Sequence, residues 1–247
     1  MMKTLILDIE TSPNLAYVWG LWDQSVGLNQ IEHTGSVICF AAKWHGQKKV
    51  MFHSDFHDGH TEMIEAAWAL CDEADAIVHY NGRAFDLKHL RREFLLEGFG
   101  PPTPHRDIDL LNTVRQQFKF ASNKLQHVST QLGIGEKVQH SGFELWRGCM
   151  AGDAKAWAEM RSYNRQDVQL TEKLYDILHP WIRHYPNKAL IEDRPDSCPR
   201  CAANGPFQAR GYNYTNSLKY QRWFCKNCLG YFQSRKSEKA TTPPQFK

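Results

Sequence analysis

The run Leu5-Ile6-Leu7-Asp8-Ile9-Glu10-Thr11 reads as a buried strand that ends in two acids. Side chains alternate faces along a strand, so Leu5, Leu7 and Ile9 point one way and Asp8 and Glu10 the other. Two carboxylates side by side on an apolar strand repel each other and cost stability unless a cation lies between them. Hard oxygen donors at this spacing suit Mg²⁺ or Mn²⁺. The plainer alternative puts both acids in solvent just past the strand end. The pair therefore points to a metal only if the rest of the chain supplies further ligands.

Outward from this strand, Ser12-Pro13-Asn14 is a turn, and 16–30 is irregular and rich in aromatics (Tyr17, Trp19, Trp22) that could pack a loop or stack on bases. Ser36 to Trp44 and Lys49 to His53 read as a hairpin across His45-Gly46-Gln47. Residues 61–74 have helical periodicity, with Met63, Ile64, Ala67, Trp68 and Cys71 on one side. A short strand (76–80) leads to a helix from about Asp86 to Glu97, and 107–111 is a short strand or a strand-to-helix junction. Helical stretches follow over 111–118 and 124–132, then a long helix from Asp153 to about Arg183, with Asp153 as its N-cap. His53, His57 and His60 fall in a loop-like segment and read as surface histidines. Strands alternating with helices after a hairpin predict an α/β sheet with helices on its faces, and such sheets bind ligands off the carboxyl ends of their strands. Asp8 and Glu10 sit at such an end.

Two more segments offer acids. Asn81-Gly82-Arg83-Ala84-Phe85-Asp86 places a carboxylate in the first turn of a helix, where an ordinary N-cap is the competing explanation. Tyr163-Asn164-Arg165-Gln166-Asp167 places a phenol and a carboxylate four apart on one face of the long helix. Leu170 and Leu174 continue near that face, so it looks inward, and an inward acid needs a partner.

Asp8-Ile9-Glu10, Asn-x₃-Phe-Asp ending at Asp86, and Tyr-x₃-Asp from Tyr163 to Asp167 resemble, in order and spacing, the three motifs of the DEDDy 3′→5′ exonucleases. These belong to the ribonuclease H-like superfamily, and the likeness extends over roughly residues 1–183. With no polymerase following, the chain is most similar to the stand-alone enzymes of phages and bacteria. The resemblance implies a ribonuclease H-like mixed sheet flanked by helices. It also implies that Asp8, Glu10 and Asp167 hold the metal that binds the attacking water, with Asp8 bridging to a second metal. Asp86 would bind that second metal, largely through water. Tyr163 would orient or help deprotonate the nucleophile. An unperturbed phenol pKa of about 10 favours orientation over proton abstraction. Thr11, Asn81 and Phe85 are candidates for contact with the 3′-terminal nucleotide. Where the sister branch has histidine five positions before the last acid, this chain has Ser162, so Tyr163 decides the branch. His79 and His127 read as core or surface histidines.

Cys198-Pro-Arg-Cys201 and Cys225-Lys-Asn-Cys228 are two knuckles spaced as in a zinc ribbon. A module this small has too little core to fold alone, so one structural Zn²⁺ is expected to supply much of its stability. From Cys198 onward nine Lys/Arg face a single acid, Glu238, whereas the whole chain is only +3. Cations interleaved with Tyr212, Tyr214, Tyr220, Trp223 and Phe224 suit a nucleic-acid backbone with base stacking. The competing use of such a ribbon is docking of a replication or repair protein.

At 247 residues the chain can hold one sizeable core plus this appendage. The expected division is a nuclease domain at 1–185, a linker at 186–197, the ribbon at 198–239 and a disordered tail at 240–247. No apolar run reaches membrane-spanning length and no signal peptide is apparent, so no membrane partner is expected. Cys39, Cys71 and Cys149 read as buried free thiols, which fits a reducing cytoplasm, that of the host if a phage encodes the chain. The expected function is a two-metal 3′→5′ exonuclease on single-stranded DNA, or RNA. A structure-selective endonuclease and a non-catalytic nucleic-acid-binding protein are the alternatives.

Overall fold

The computed structural model describes residues 1–135 and 140–238; the tail expected at 240–247 lies outside the described residues. Strand β1 (Thr4–Thr11) is followed by a small ribbon of β2 (Leu15–Ala16) and β3 (Ile31–His33), then by the hairpin of β4 (Val37–Trp44) and β5 (Met51–Ser54). Helix α1 (His60–Glu73), β6 (Ala76–His79), α2 (Asp86–Leu96) and β7 (Arg106–Asp109) come next. Helices α3 (Leu110–Gln117), α4 (Leu125–Gln131), α5 (Phe143–Met150) and α6 (Ala154–Leu178) follow. The five-stranded sheet runs β5-β4-β1-β6-β7. Strand β4 is antiparallel to both β1 and β5, whereas β1, β6 and β7 are parallel. This is the α/β, ribonuclease H-like mixed sheet flanked by helices.

The period of two in β1 sorts its side chains into two layers. Leu5, Leu7 and Ile9 pack with Met63, Ile64 and Ala67 of α1 and with Leu87, Leu90 and Phe94 of α2. On a second core, Ile38 and Cys39 of β4 meet Leu145 and Cys149 of α5 and Trp157, Met160 and Tyr163 of α6. Burying several such side chains contributes about 1.5–3 kcal/mol each, which anchors α6 where its inward polar residues reach the strand ends.

Two expected boundaries differ. Helix α5 has no counterpart in the sequence pattern, because its inward face is only Leu145 and Cys149, too short a pattern to announce a helix. Helix α6 stops at Leu178 instead of reaching Arg183. Pro180 lacks an N–H and its ring collides with the preceding turn, so the chain tightens into a 3₁₀ turn over His179–Trp181.

Contacts divide the chain into two compact units, Lys3–Tyr175 and a second from Asp176 on that includes Met1–Met2. In the second, the stretch expected as a linker carries the short helix α7 (Lys188–Ile191), with Ala189 fully buried. The Lys188 amide donates to Pro199 O at 2.7 Å and the Arg194 guanidinium to Ala202 O at 3.1 Å. Strands β8 (Phe207–Tyr214), β9 (Lys219–Cys225) and β10 (Tyr231–Gln233) form an antiparallel sheet in the order β10-β9-β8. Two cysteine knuckles beside a three-stranded sheet fit a zinc ribbon.

Candidate active site

The alternation of β1 and the helical period of α6 bring Asp8, Glu10 and Asp167 together, with one carboxylate oxygen of each within 4.8 Å of the others. Asn164, one turn before Asp167, is fully buried and donates its Nδ2 to Asp8 Oδ2 at 2.7 Å and to Asp8 O at 3.3 Å. The negative field of the cluster registers on Cys39, the cross-strand partner of Glu10. Burial raises the Cys39 thiol pKa well above its usual value, and Glu10 and Asp8 push it further. Three carboxylates at this separation repel one another, and hard divalent cations are the species that relieve it.

Asp86 stands outside this triad. It is the first residue of α2, and the N-cap before it, Phe85, makes no side-chain cap. It turns to β1 and accepts the Ile9 amide at 3.1 Å. Burial pushes its pKa up to about 7, against the hydrogen bonds from Ile9 and its own amide. Besides the amide at its own helix end, Asp86 thus makes a strand-to-helix tie one residue from Asp8.

A cavity of about 670 Å³ is lined by Asp8 and Asp167 of the triad, with Tyr163, His140, Asn81 and Arg115 among its other walls. Tyr163 is buried, its ring edge-on to His140 at 4.8 Å and to Trp146 at 6.3 Å. Asn81 reaches the cavity from a left-handed backbone (φ 74°), and its amide donates to Asp109 Oδ1 at 3.1 Å. The same oxygen accepts from Leu111 and Asn112, so Asp109 caps α3 and pins the Asn81 loop together. Thr11 and Phe85 do not line this cavity; Phe85 packs against His89 at 4.5 Å.

Sequence reasoning missed Asn164, Asp109, His140 and Arg115. Only Asp109 had a signal, as an acid directly before an apolar helical run. His79 is fully buried, as a core histidine should be.

In the second unit Cys198, Cys201, Cys225 and Cys228 gather their sulfurs within 4.8 Å. Each knuckle closes in the same way: Ala202 N–H donates to Cys198 O and Leu229 N–H to Cys225 O, at 2.8 and 2.9 Å. Ala202 and Leu229 both take the left-handed conformation that this turn imposes. Cys198 and Cys228 lie 3.8 Å apart, and their hydrogen bond pulls the Cys198 pKa down to about 5 while pushing Cys228 up. Four sulfurs so arranged are a soft-metal donor set.

No curated protein matches the chain. A family model described as RNase_H superfamily matches residues 5–179, a span that holds the sheet, α6 and all four acids. By fold, strand order and that match, the chain belongs to the ribonuclease H superfamily.

Proposed function

We propose that this protein is a 3′→5′ exonuclease that hydrolyses phosphodiester bonds of single-stranded nucleic acid, DNA before RNA. Superfamily membership supports a metal-dependent nucleic-acid hydrolase. The observation that favours the exonuclease form is the placement of Tyr163 on the wall of the cavity that Asp8 and Asp167 line. Asp8, Glu10 and Asp167, hard oxygen donors gathered at one place, would hold Mg²⁺ or Mn²⁺, and Asp86 would contribute to a second ion. Such ions neutralise charge on the phosphate and lower the pKa of water.

The chain's own residues supply orientation. Tyr163, its ring held by His140 and Trp146, presents its hydroxyl to the attacking water. Asn164 holds Asp8 in one rotamer, and Asn81 meets the terminal nucleotide. A water oxygen bonds to phosphorus, the P–O3′ bond breaks, and the 3′ oxygen left behind takes a proton. In the second unit the four cysteines would hold Zn²⁺. Arg210 over Phe224 and Lys219 over Tyr212, at 5.9 and 4.5 Å, support backbone binding with base stacking. Cysteines that are free among the described residues are in keeping with a reducing cytoplasm.

The test is a gel time course with Mg²⁺ or Mn²⁺ on 5′-labelled linear and on circular single strands of DNA and RNA. A one-nucleotide ladder from the 3′ end with circles spared is expected, and Asp8→Ala should abolish it while the circular dichroism spectrum stays unchanged. Cut circles would establish an endonuclease; binding without cleavage would leave a scaffold that holds nucleic acid.

A further inference from the structure

One continuous piece of chain supplies much of the lining of the cavity that holds Asp8 and Asp167. Residues 110–135, which contain α3 and α4, hold Arg115, Lys119 and Lys124 and no Asp or Glu at all. Arg115 and Lys124 line the same cavity as Asp8 and Asp167, together with Ser122, Asn123 and Gln126. Among the described residues neither cation has a carboxylate partner, although Asp8 and Asp167 line the same cavity.

The wall is tied to the catalytic side. The Tyr80 hydroxyl donates to Asn123 O at 2.5 Å, fixing the segment that carries Lys124 to the end of β6. Asp109 caps α3, which carries Arg115, and binds the Asn81 amide. Arg115 lies close enough to Tyr80 to lower its pKa, against the burial that raises it.

Two acids of the metal-binding cluster and two cations without a carboxylate partner, all lining one groove, fit a ligand whose charges are spaced along its length. We infer that Arg115 and Lys124 grip the phosphodiester backbone of a single strand, holding it while its terminal phosphate enters the acidic cluster. The inference rests on the nuclease reading of that cluster. It predicts a division of labour: the acids act on the reacting phosphate, and the two cations act on phosphates that do not react.

The experiment uses the full chain and a 5′-fluorescein oligo-dT, with Ca²⁺ replacing Mg²⁺ to hold back cleavage. Anisotropy titrations over a salt series compare wild type with Arg115→Ser/Lys124→Ser and with the charge-keeping Arg115→Lys/Lys124→Arg. Losing two phosphate contacts should flatten the slope of log K against log salt by about 1.4 and weaken binding about tenfold or more at low salt. With Mg²⁺, KM should rise while kcat stays within about twofold, because uniform binding is what has been removed. The charge-keeping variant should restore affinity and slope.

An unchanged slope and affinity in the serine variant, with wild type still cleaving, would overturn the inference and leave the nuclease intact. Competition by poly-glutamate as effective as by oligo-dT would also overturn it, making the wall a site for acidic peptide. Wild type that cleaves nothing in Mg²⁺ or Mn²⁺ would overturn the nuclease reading itself, which is a different result.

Discussion

Asn164 shows how much of the acidic cluster is decided by one uncharged side chain. Its amide donates to Asp8 Oδ2 and to Asp8 O, which ties one member of the triad to α6 through both its carboxylate and its backbone. Its own Oδ1, buried, has no hydrogen-bond partner among the described residues, so the residue is kept for the donation it makes. Outer groups that orient metal ligands are typically worth about 10–100-fold in metal affinity. Asn164→Ala should therefore weaken Mn²⁺ binding by about that factor in calorimetric titration. Asn164→Ser, which can still donate, should lose less. Equal Mn²⁺ affinity in all three proteins would show that Asp8 needs no such support. The loss also leaves Asp8 one hydrogen bond short, at about 1–3 kcal/mol, so melting temperatures must be measured alongside. Tyr163 and Asp167 were legible in sequence because a helix puts residues four apart on one face. Asn164 was not, since a helical asparagine next to a tyrosine looks the same whether it faces solvent or a carboxylate.

The segment from the end of β6 to the start of α2 is the element that places both Asn81 and Asp86. The Gly82 amide donates to His79 Nδ1 at 3.0 Å, and a Cβ on Gly82 would lie 2.5 Å from the His79 ring. Gly82→Ala should thus cost about 1–3 kcal/mol by overpacking and displace Asn81 from the groove, raising KM as well as lowering the melting temperature. The same contact gives a pH dependence. Burial lowers the His79 pKa to about 4, against the raising effect of Asp109 and Asp107, and Arg83 and His105 lower it further. The unfolded chain then binds a proton at His79 that the folded chain refuses, between its ordinary value of about 6.5 and that lowered value. Stability from this residue is fully present above about pH 6.5 and is lost as pH falls toward 4, on the order of 3 kcal/mol at most. Urea melts of His79→Gln should show a shallower decline over that window than wild type; parallel declines would assign the acid sensitivity elsewhere. Periodicity made the sheet and the longer helices readable. It could not announce α5, with two inward residues, or the tie from Asp86 to Ile9, because no local pattern tells a carboxylate which of two elements to bind.

On the scale of the molecule, the chain joins two units that stand on different physics. The first has two apolar layers about a sheet, and its acidic cluster lies at the carboxyl end of the central strand, beside cores that need no ion to close. The second contains three strands whose residues are mostly half-buried or exposed, and its most buried side chains include Cys198 and Cys225. Arg200, inside the first knuckle, donates to His179 O and Ile182 O at 2.6 and 3.1 Å, so the fold of this unit depends on the knuckle as far back as the end of α6. A site of this kind makes metal-binding energy into folding energy. Treating the full-length protein with EDTA should release one zinc per chain, read with a chromogenic chelator after digestion of the removed fraction. The thermal melt should then lose its higher-cooperativity signal for the second unit, with β-sheet circular dichroism falling, while the first unit's transition stays in place. Adding back Mg²⁺ alone should restore cleavage, since the acids refill. Strand affinity and its salt slope should stay reduced until Zn²⁺ is also restored, because the cations of β8 and β9 are then no longer arrayed on a folded sheet. If Mg²⁺ alone restores the full affinity and slope, the ribbon contributes nothing to nucleic-acid binding, and its exposed basic and aromatic strands are left for a protein partner.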